Sequence, residues 1–146
     1  MPERANLFMD AKRSLAHNWL LKSRRDLLSA KRLARGAEPY LDTAIYHCQQ
    51  SVEKAIKGWL VYHDQSFGKT HDLRLLATQA SEVDSKFTDW IDIAVQVSPY
   101  ATAYRYPGEI LEPTADEYKQ AFQAASRFYE FVCSMLPPEL SAPKKK

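Results

Sequence analysis

In "PYLDTAIYHCQQSVEKAIKGWLVYH", residues 39–63, the residues Leu41, Ala44, Ile45, Cys48, Val52, Ala55, Ile56, Trp59 and Leu60 recur at steps of three, one and four. That spacing keeps one apolar stripe in register for about five turns of an α-helix. A stripe so long has to be covered by other elements, which places this segment at the centre of a core. Pro39 suits its first turn, where a missing N–H costs nothing.

Helical periodicity dominates the rest of the chain, which has only four glycines and no alternating β-branched runs. "NWLLKSRRDLLSAKRLARG" reads as a first helix with Leu20, Leu27, Ala30 and Ala34 on one side and Gly36 as its stop. Residues 1–17 either extend this helix or lie loosely against the body. A third helix runs from about Thr70 to Ala80, with Thr70 or Asp72 as its cap and Leu73, Leu76 and Ala80 buried. A fourth starts near Ser85 and carries Phe87, Trp90, Ile91, Ala94 and Val97; Pro99 then kinks or breaks it. Thr114 and Glu117 form a Thr-x-x-Glu capping box that opens the fifth. Tyr118, Ala121, Phe122, Ala125, Phe128, Val132 and Met135 are its core face, and Pro137 with Pro138 closes it. Short connections between such helices predict an all-α fold, an antiparallel up-and-down bundle of four to five helices. Residues 1–16 form an N-terminal extension, 17–137 the bundle, and 138–146 a basic disordered tail.

A chain of 146 residues fits one domain and buries roughly 70% of its unfolded surface. The formal net charge of +2 conceals a segregation. Residues 1–35 hold nine Lys/Arg against three Asp/Glu, whereas residues 36–143 hold eight against fifteen. A basic first helix on an acidic body can meet phosphates or the acidic face of a partner, or it is a solvated face. No apolar run approaches the ~20 residues that span a bilayer, and the acid-bearing N-terminus does not read as a secretory signal. Cys48 and Cys133 both fall on apolar helix faces, as buried thiols of a reducing cytoplasm would.

"SFGKTHDL", residues 66–73, ends like a phosphate-binding loop. The glycine that such a loop needs five positions earlier is His63, and helix rather than strand leads in, so the segment reads as a turn and a cap. The four histidines, His17, His47, His63 and His71, show no spacing suited to metal, and no metal or cofactor is expected. Neither cysteine lies in a basic sequence context that would activate it. On the second helix His47, Gln50 and Lys54 fall on one ridge opposite the apolar stripe. That ridge is a solvated face, a subunit interface or the wall of a ligand groove. Glu53 and Lys57 make an i,i+4 pair, and Glu53, at the stripe's margin, is placed to anchor a network reaching His71 or Arg105. Arg105 stands among Tyr100, Tyr104 and Tyr106. It can stack on bases and clamp phosphates, or satisfy the carbonyls of a helix end.

"HCQQSVEKAIKGWLVYH", then "KTHDL" after a short loop, then "YRYPG" before the last helix, together resemble the HEPN domain family across about residues 17–135. The resemblance implies a helical bundle that usually dimerises and is often encoded beside a minimal nucleotidyltransferase. It also implies nucleotide binding or RNA cleavage within toxin–antitoxin systems. Ribonuclease members of that family carry an Arg and a His separated by about four to six residues. Arg105 fills the first position, but Ile110, Leu111 and Glu112 stand where the His would. The expectation is therefore a non-catalytic module that binds a nucleotide, RNA or a nucleotidyltransferase partner and forms a homodimer. Its candidate contact residues are His47, Gln50, Lys54, Lys69, His71, Tyr104 and Arg105, with Glu53, Lys57 and Asp72 as a structural network. The alternatives are a metal-independent ribonuclease toxin with a rearranged site and a protein–protein scaffold.

Overall fold

The computed structural model describes residues 2–108 and 111–141. Five helices follow in order: α1 (Pro2–Leu33), α2 (Leu41–Tyr62), α3 (Leu73–Val83), α4 (Ile91–Val97) and α5 (Ala115–Ser134). Among the described residues there is no strand. The α2 helix touches each of the other four, so the segment with the longest apolar stripe is the innermost. Its Ala44, Ile45, Cys48, Val52, Ala55, Ile56, Trp59 and Leu60 are all buried. Trp59 meets Phe87 at 4.5 Å between ring centroids, and Trp90 stacks on Phe131 at 4.3 Å. These contacts close the core between α2, the 85–90 segment and α5.

α1 and α2 lie antiparallel and unusually close. Ser23 donates to the Ser51 carbonyl at 2.7 Å within the interface. Two turns further along α2, Gly58 faces α1 so tightly that a Cβ there would stand 3.0 Å from Trp19 Cβ and 3.3 Å from the Ala16 carbonyl oxygen. Helix packing of this kind depends on a residue without a side chain.

Helix ends depart from the sequence reading in instructive ways. α1 is continuous from Pro2, so the first residues extend it. Pro39 precedes the α2 cap, Tyr40, rather than occupying the first turn. The expected fourth helix is divided into a 3-10 turn over Ser85–Trp90, the short α4, and a second 3-10 turn over Ser98–Ala101 at Pro99. At three residues per turn Phe87 and Trp90 come onto one side, where they reach Trp59 and Phe131. Tertiary contacts override the helical period there. Asp72 caps α3, accepting from Leu75 N at 3.1 Å, while Thr70 Oγ1 accepts from Asp72 N. The tail expected from residue 138 is ordered at its start: Pro138–Leu140 form a 3-10 turn, Leu140 is buried, and its carbonyl lies 2.8 Å from His17 Nδ1. The remainder of that tail, residues 142–146, lies outside the described residues.

Two predictions concern this core. Gly58→Val is expected to lose about 2 kcal/mol or more in urea unfolding through overpacking against α1. Gly58→Ala should be milder, because about 1 kcal/mol of helix propensity offsets its contact. The second prediction concerns His63, whose ring lies 4.1 Å from that of Trp59. Burial, and then the charge of Lys12, hold its pKa below the ordinary histidine value. The unfolded chain therefore takes up a proton before the folded one does. Stability from this residue is complete above about pH 6.5 and is lost as the pH falls below it. Thermal melts from pH 7.5 to 5.5 should decline more steeply for the wild type than for His63→Gln; parallel declines would contradict this.

Candidate functional site

One side of α2 is polar and yet covered. Asp26 of α1, only 8% exposed, accepts from His47 Nδ1 at 2.8 Å and from Lys54 Nζ at 2.7 Å. Two of the three ridge residues are thus tied to α1 instead of standing free in solvent. Gln50 completes the ridge by donating to Gln49 Oε1 at 2.7 Å. A carboxylate on Nδ1 holds the imidazole with its proton there, leaving Nε2 as the reactive nitrogen.

Glu53 anchors the second cluster. Its carboxylate, 5% exposed, accepts from Lys57 at 3.1 Å, from His71 at 3.1 Å and from Gln49 at 3.3 Å. The Lys57 ammonium also lies over the rings of Trp19 and Phe67, at 5.7 and 5.5 Å. The pair is therefore a desolvated one, set within the network that Glu53 anchors. His71 is where the network ends, and Arg105 takes no part in it. Through His71 and Phe67 the "SFGKTHDL" loop is clamped onto α2, which gives that segment a structural use in place of phosphate binding.

Arg105 is presented by an unusual turn. Tyr104 adopts the left-handed conformation, φ 67°, which costs a bulky residue of order 1–3 kcal/mol and survives only where the surroundings enforce it. Here Glu117 enforces it: its carboxylate accepts from Tyr104 Oη at 2.7 Å and from Tyr100 Oη at 2.9 Å. The Tyr104 hydroxyl is held above its usual pKa range chiefly by that bond, and the Tyr100 hydroxyl by burial and then by that bond, so both remain donors. The capping box is accordingly half made. Thr114 Oγ1 accepts from Glu117 N at 3.0 Å, while the Glu117 side chain serves the tyrosines. The reversed turn lays the Arg105 guanidinium over the ring of Tyr46, 4.0 Å from its centroid, with Nη1 donating to the Ala101 carbonyl at 2.9 Å.

Arg105, Tyr104, His47, Tyr46, Thr43 and Asp42 together line an open pocket of about 290 Å³. Of the residues singled out from sequence, the fold brings His47, Tyr104 and Arg105 to this pocket. Gln50, Lys54, Lys69 and His71 are not part of its lining. Sequence reading missed Asp26, Tyr46, Asp42 and Thr43. Asp26 carried a signal, as the lone acid in the basic run "KSRRDLLSAKR". Tyr46 carried none, since it belongs to neither the stripe nor the ridge.

Among the described residues no group of three or more His, Cys, Asp and Glu could hold a metal ion, and no helix is long and apolar enough to cross a membrane. Cys48 and Cys133 are free thiols. Burial, and then the charge of Asp26, push the Cys48 thiol up to about 12. Burial also raises Cys133, so neither is poised as a nucleophile.

A family model described as the HEPN domain matches residues 16–136. A solved structure described as an archaeal HEPN homologue superposes with a TM-score of 0.63 at 22% identity, covering 82% of this chain and 96% of that one. No curated protein matches.

The buried Glu53–Lys57 pair makes a specific prediction. Glu53→Ala, which leaves Lys57 buried without its partner, is expected to lose about 3–5 kcal/mol in urea unfolding. The double change Glu53→Leu with Lys57→Met should lose less than that single one; an equal or larger loss would show the two charges to be uncoupled.

Proposed function

We propose, from the premise that this chain belongs to the HEPN domain family, that it is a non-catalytic helical module binding a nucleotide, free or as part of an RNA. The ligand sits in the pocket of Arg105, Tyr46 and His47. The observation that carries this reading is the Arg105 guanidinium, spread over Tyr46 at 4.0 Å and facing a pocket shared with His47. A planar guanidinium backed by a ring keeps its outer N–H edge for a phosphate, and stacking restricts the side chain before the ligand arrives. Asp42 on the same rim accepts from Thr43 N at 2.8 Å and retains acceptor capacity. An arginine donor with a carboxylate acceptor matches a ligand carrying both phosphate and hydroxyl or amino groups, which is a nucleotide rather than a simple anion.

A second reading, metal-independent RNA cleavage, draws on a separate observation. The pocket that holds Arg105 also holds His47, with Asp26 on its Nδ1. That histidine would supply the acid–base group absent after Arg105, and Arg105 the charge that stabilises a phosphorane. Family membership, rather than any feature particular to this chain, supports a homodimer, a nucleotidyltransferase partner and a toxin–antitoxin setting. Lys69 and His71 lie outside the lining of this pocket, and His71 is bonded to Glu53.

Titrating the full chain with a fluorescent adenine nucleotide at low salt separates these readings. Arg105→Ala is expected to weaken binding about tenfold or more, consistent with the ~1.5–3 kcal/mol of a charge-assisted hydrogen bond, and to leave the melting temperature nearly unchanged. Binding indifferent to Arg105 would overturn the assignment. RNA degradation in chelator, abolished by His47→Ala and by Arg105→Ala alike, would favour cleavage over simple binding.

A further inference from the structure

We infer that the ligand of this pocket is a single-stranded nucleic acid several nucleotides long, running from the pocket onto the outer face of α1. This rests on the nucleotide reading above and deepens it. The Asp26–His47 pair fixes the antiparallel register of α1 and α2 at the pocket. One helical turn along, Ser29 of α1 and Thr43 of α2 occupy equivalent positions, and Thr43 lines the pocket. Ser29 in turn lines a second depression, of about 320 Å³, together with Arg25, Leu28 and Arg32. The register therefore sets the two hollows at the same level of the α1–α2 pair.

Charge and chemistry in the second hollow and along the neighbouring α1 surface fit a strand. Lys22, Arg25 and Arg32 are basic, and none forms an ion pair among the described residues. From Lys22 to Arg32 the helix rises about 15 Å, a distance that calls for more than one phosphate. Leu28 is 43% exposed between Arg25 and Arg32, and Tyr106, next to Arg105, is 70% exposed. An exposed aromatic ring beside a guanidinium group is a usual partner of unstacked bases. A duplex would hide those bases, so a single strand fits better. The segregated charge of the sequence has the same sense: the basic excess belongs to residues 1–35, which include the α1 face of the track.

Fluorescence anisotropy on the full chain tests this with three probes: an adenine mononucleotide, and single-stranded RNA and DNA of one mixed sequence, each roughly twelve nucleotides long. The variant Lys22→Ala/Arg25→Ala/Arg32→Ala is compared with a charge-matched control, Arg74→Ala/Lys86→Ala/Lys119→Ala, whose residues lie on α3, the 85–90 turn and α5. The track variant should bind the strands at least tenfold more weakly. Its log–log salt slope should be shallower by about 2, since three phosphates contribute roughly 0.7 each. Mononucleotide affinity should be unchanged, and the control should keep most of the wild-type slope. Comparison of the RNA and DNA arms shows which sugar is preferred. A mononucleotide bound as tightly as the strands, or equal slopes for the two triple variants, would overturn the inference while leaving the Arg105 pocket standing. Absence of binding to all three probes would bring down both.

Discussion

Two buried carboxylates, Asp26 and Glu53, let α2 lie at the centre of this bundle with a polar side that is only partly open to water. A central helix with one apolar stripe would ordinarily face solvent on its other side. Here Asp26 draws His47 and Lys54 against α1, and Glu53 gathers Lys57, His71 and Gln49, with the Lys57 ammonium over the rings of Trp19 and Phe67. Each carboxylate is stabilised because several donors replace its lost hydration, the condition under which a buried charge is tolerated. Gly58 and the Ser23–Ser51 bond bring α1 close enough for His47 and Lys54 to reach Asp26.

The pocket inherits its geometry from this arrangement. His47 is oriented because Asp26 is fixed, and Tyr46 stands beside it on the same turn of α2. On the other wall, Glu117 begins α5 and holds two tyrosine hydroxyls, which stabilise a left-handed Tyr104 and so direct Arg105 back over α2. The strained residue thus sits immediately before the one cation of the pocket whose side chain is stacked for use. Strain of that kind is maintained where it positions a functional group, and that is the physical argument for treating Arg105 as more than a helix-end cation.

Much of the architecture was legible because apolar period is a local signal. The α2 stripe, the α5 core face and the Asp72 and Thr114 caps are written in contiguous residues, and all appear in the fold. Failures arise where distant residues decide. The 85–90 segment becomes a 3-10 turn because Trp59 and Phe131 draw Phe87 and Trp90 to one side. The Glu117 side chain leaves its capping box because two tyrosines claim it. The His47–Gln50–Lys54 ridge was recognised as a group, but its neighbour Asp26 lies on another helix. Residue spacing within α2 gives no account of what α1 brings to it. Arg105 and His47 were each noticed; that they share a pocket follows only from the turn at Tyr104.

The claim at the centre of this account is that the polar side of α2, between α1 and the Tyr104–Arg105 turn, is the working face of the molecule. Backbone and side-chain NMR shifts recorded during titration with an adenine nucleotide test it directly. The account predicts perturbations concentrated at Asp42–His47 and Tyr104–Arg105. Perturbations centred instead on the α4–α5 hollow of Ile93, Gln96, Gln120, Gln123 and Arg127 would contradict it.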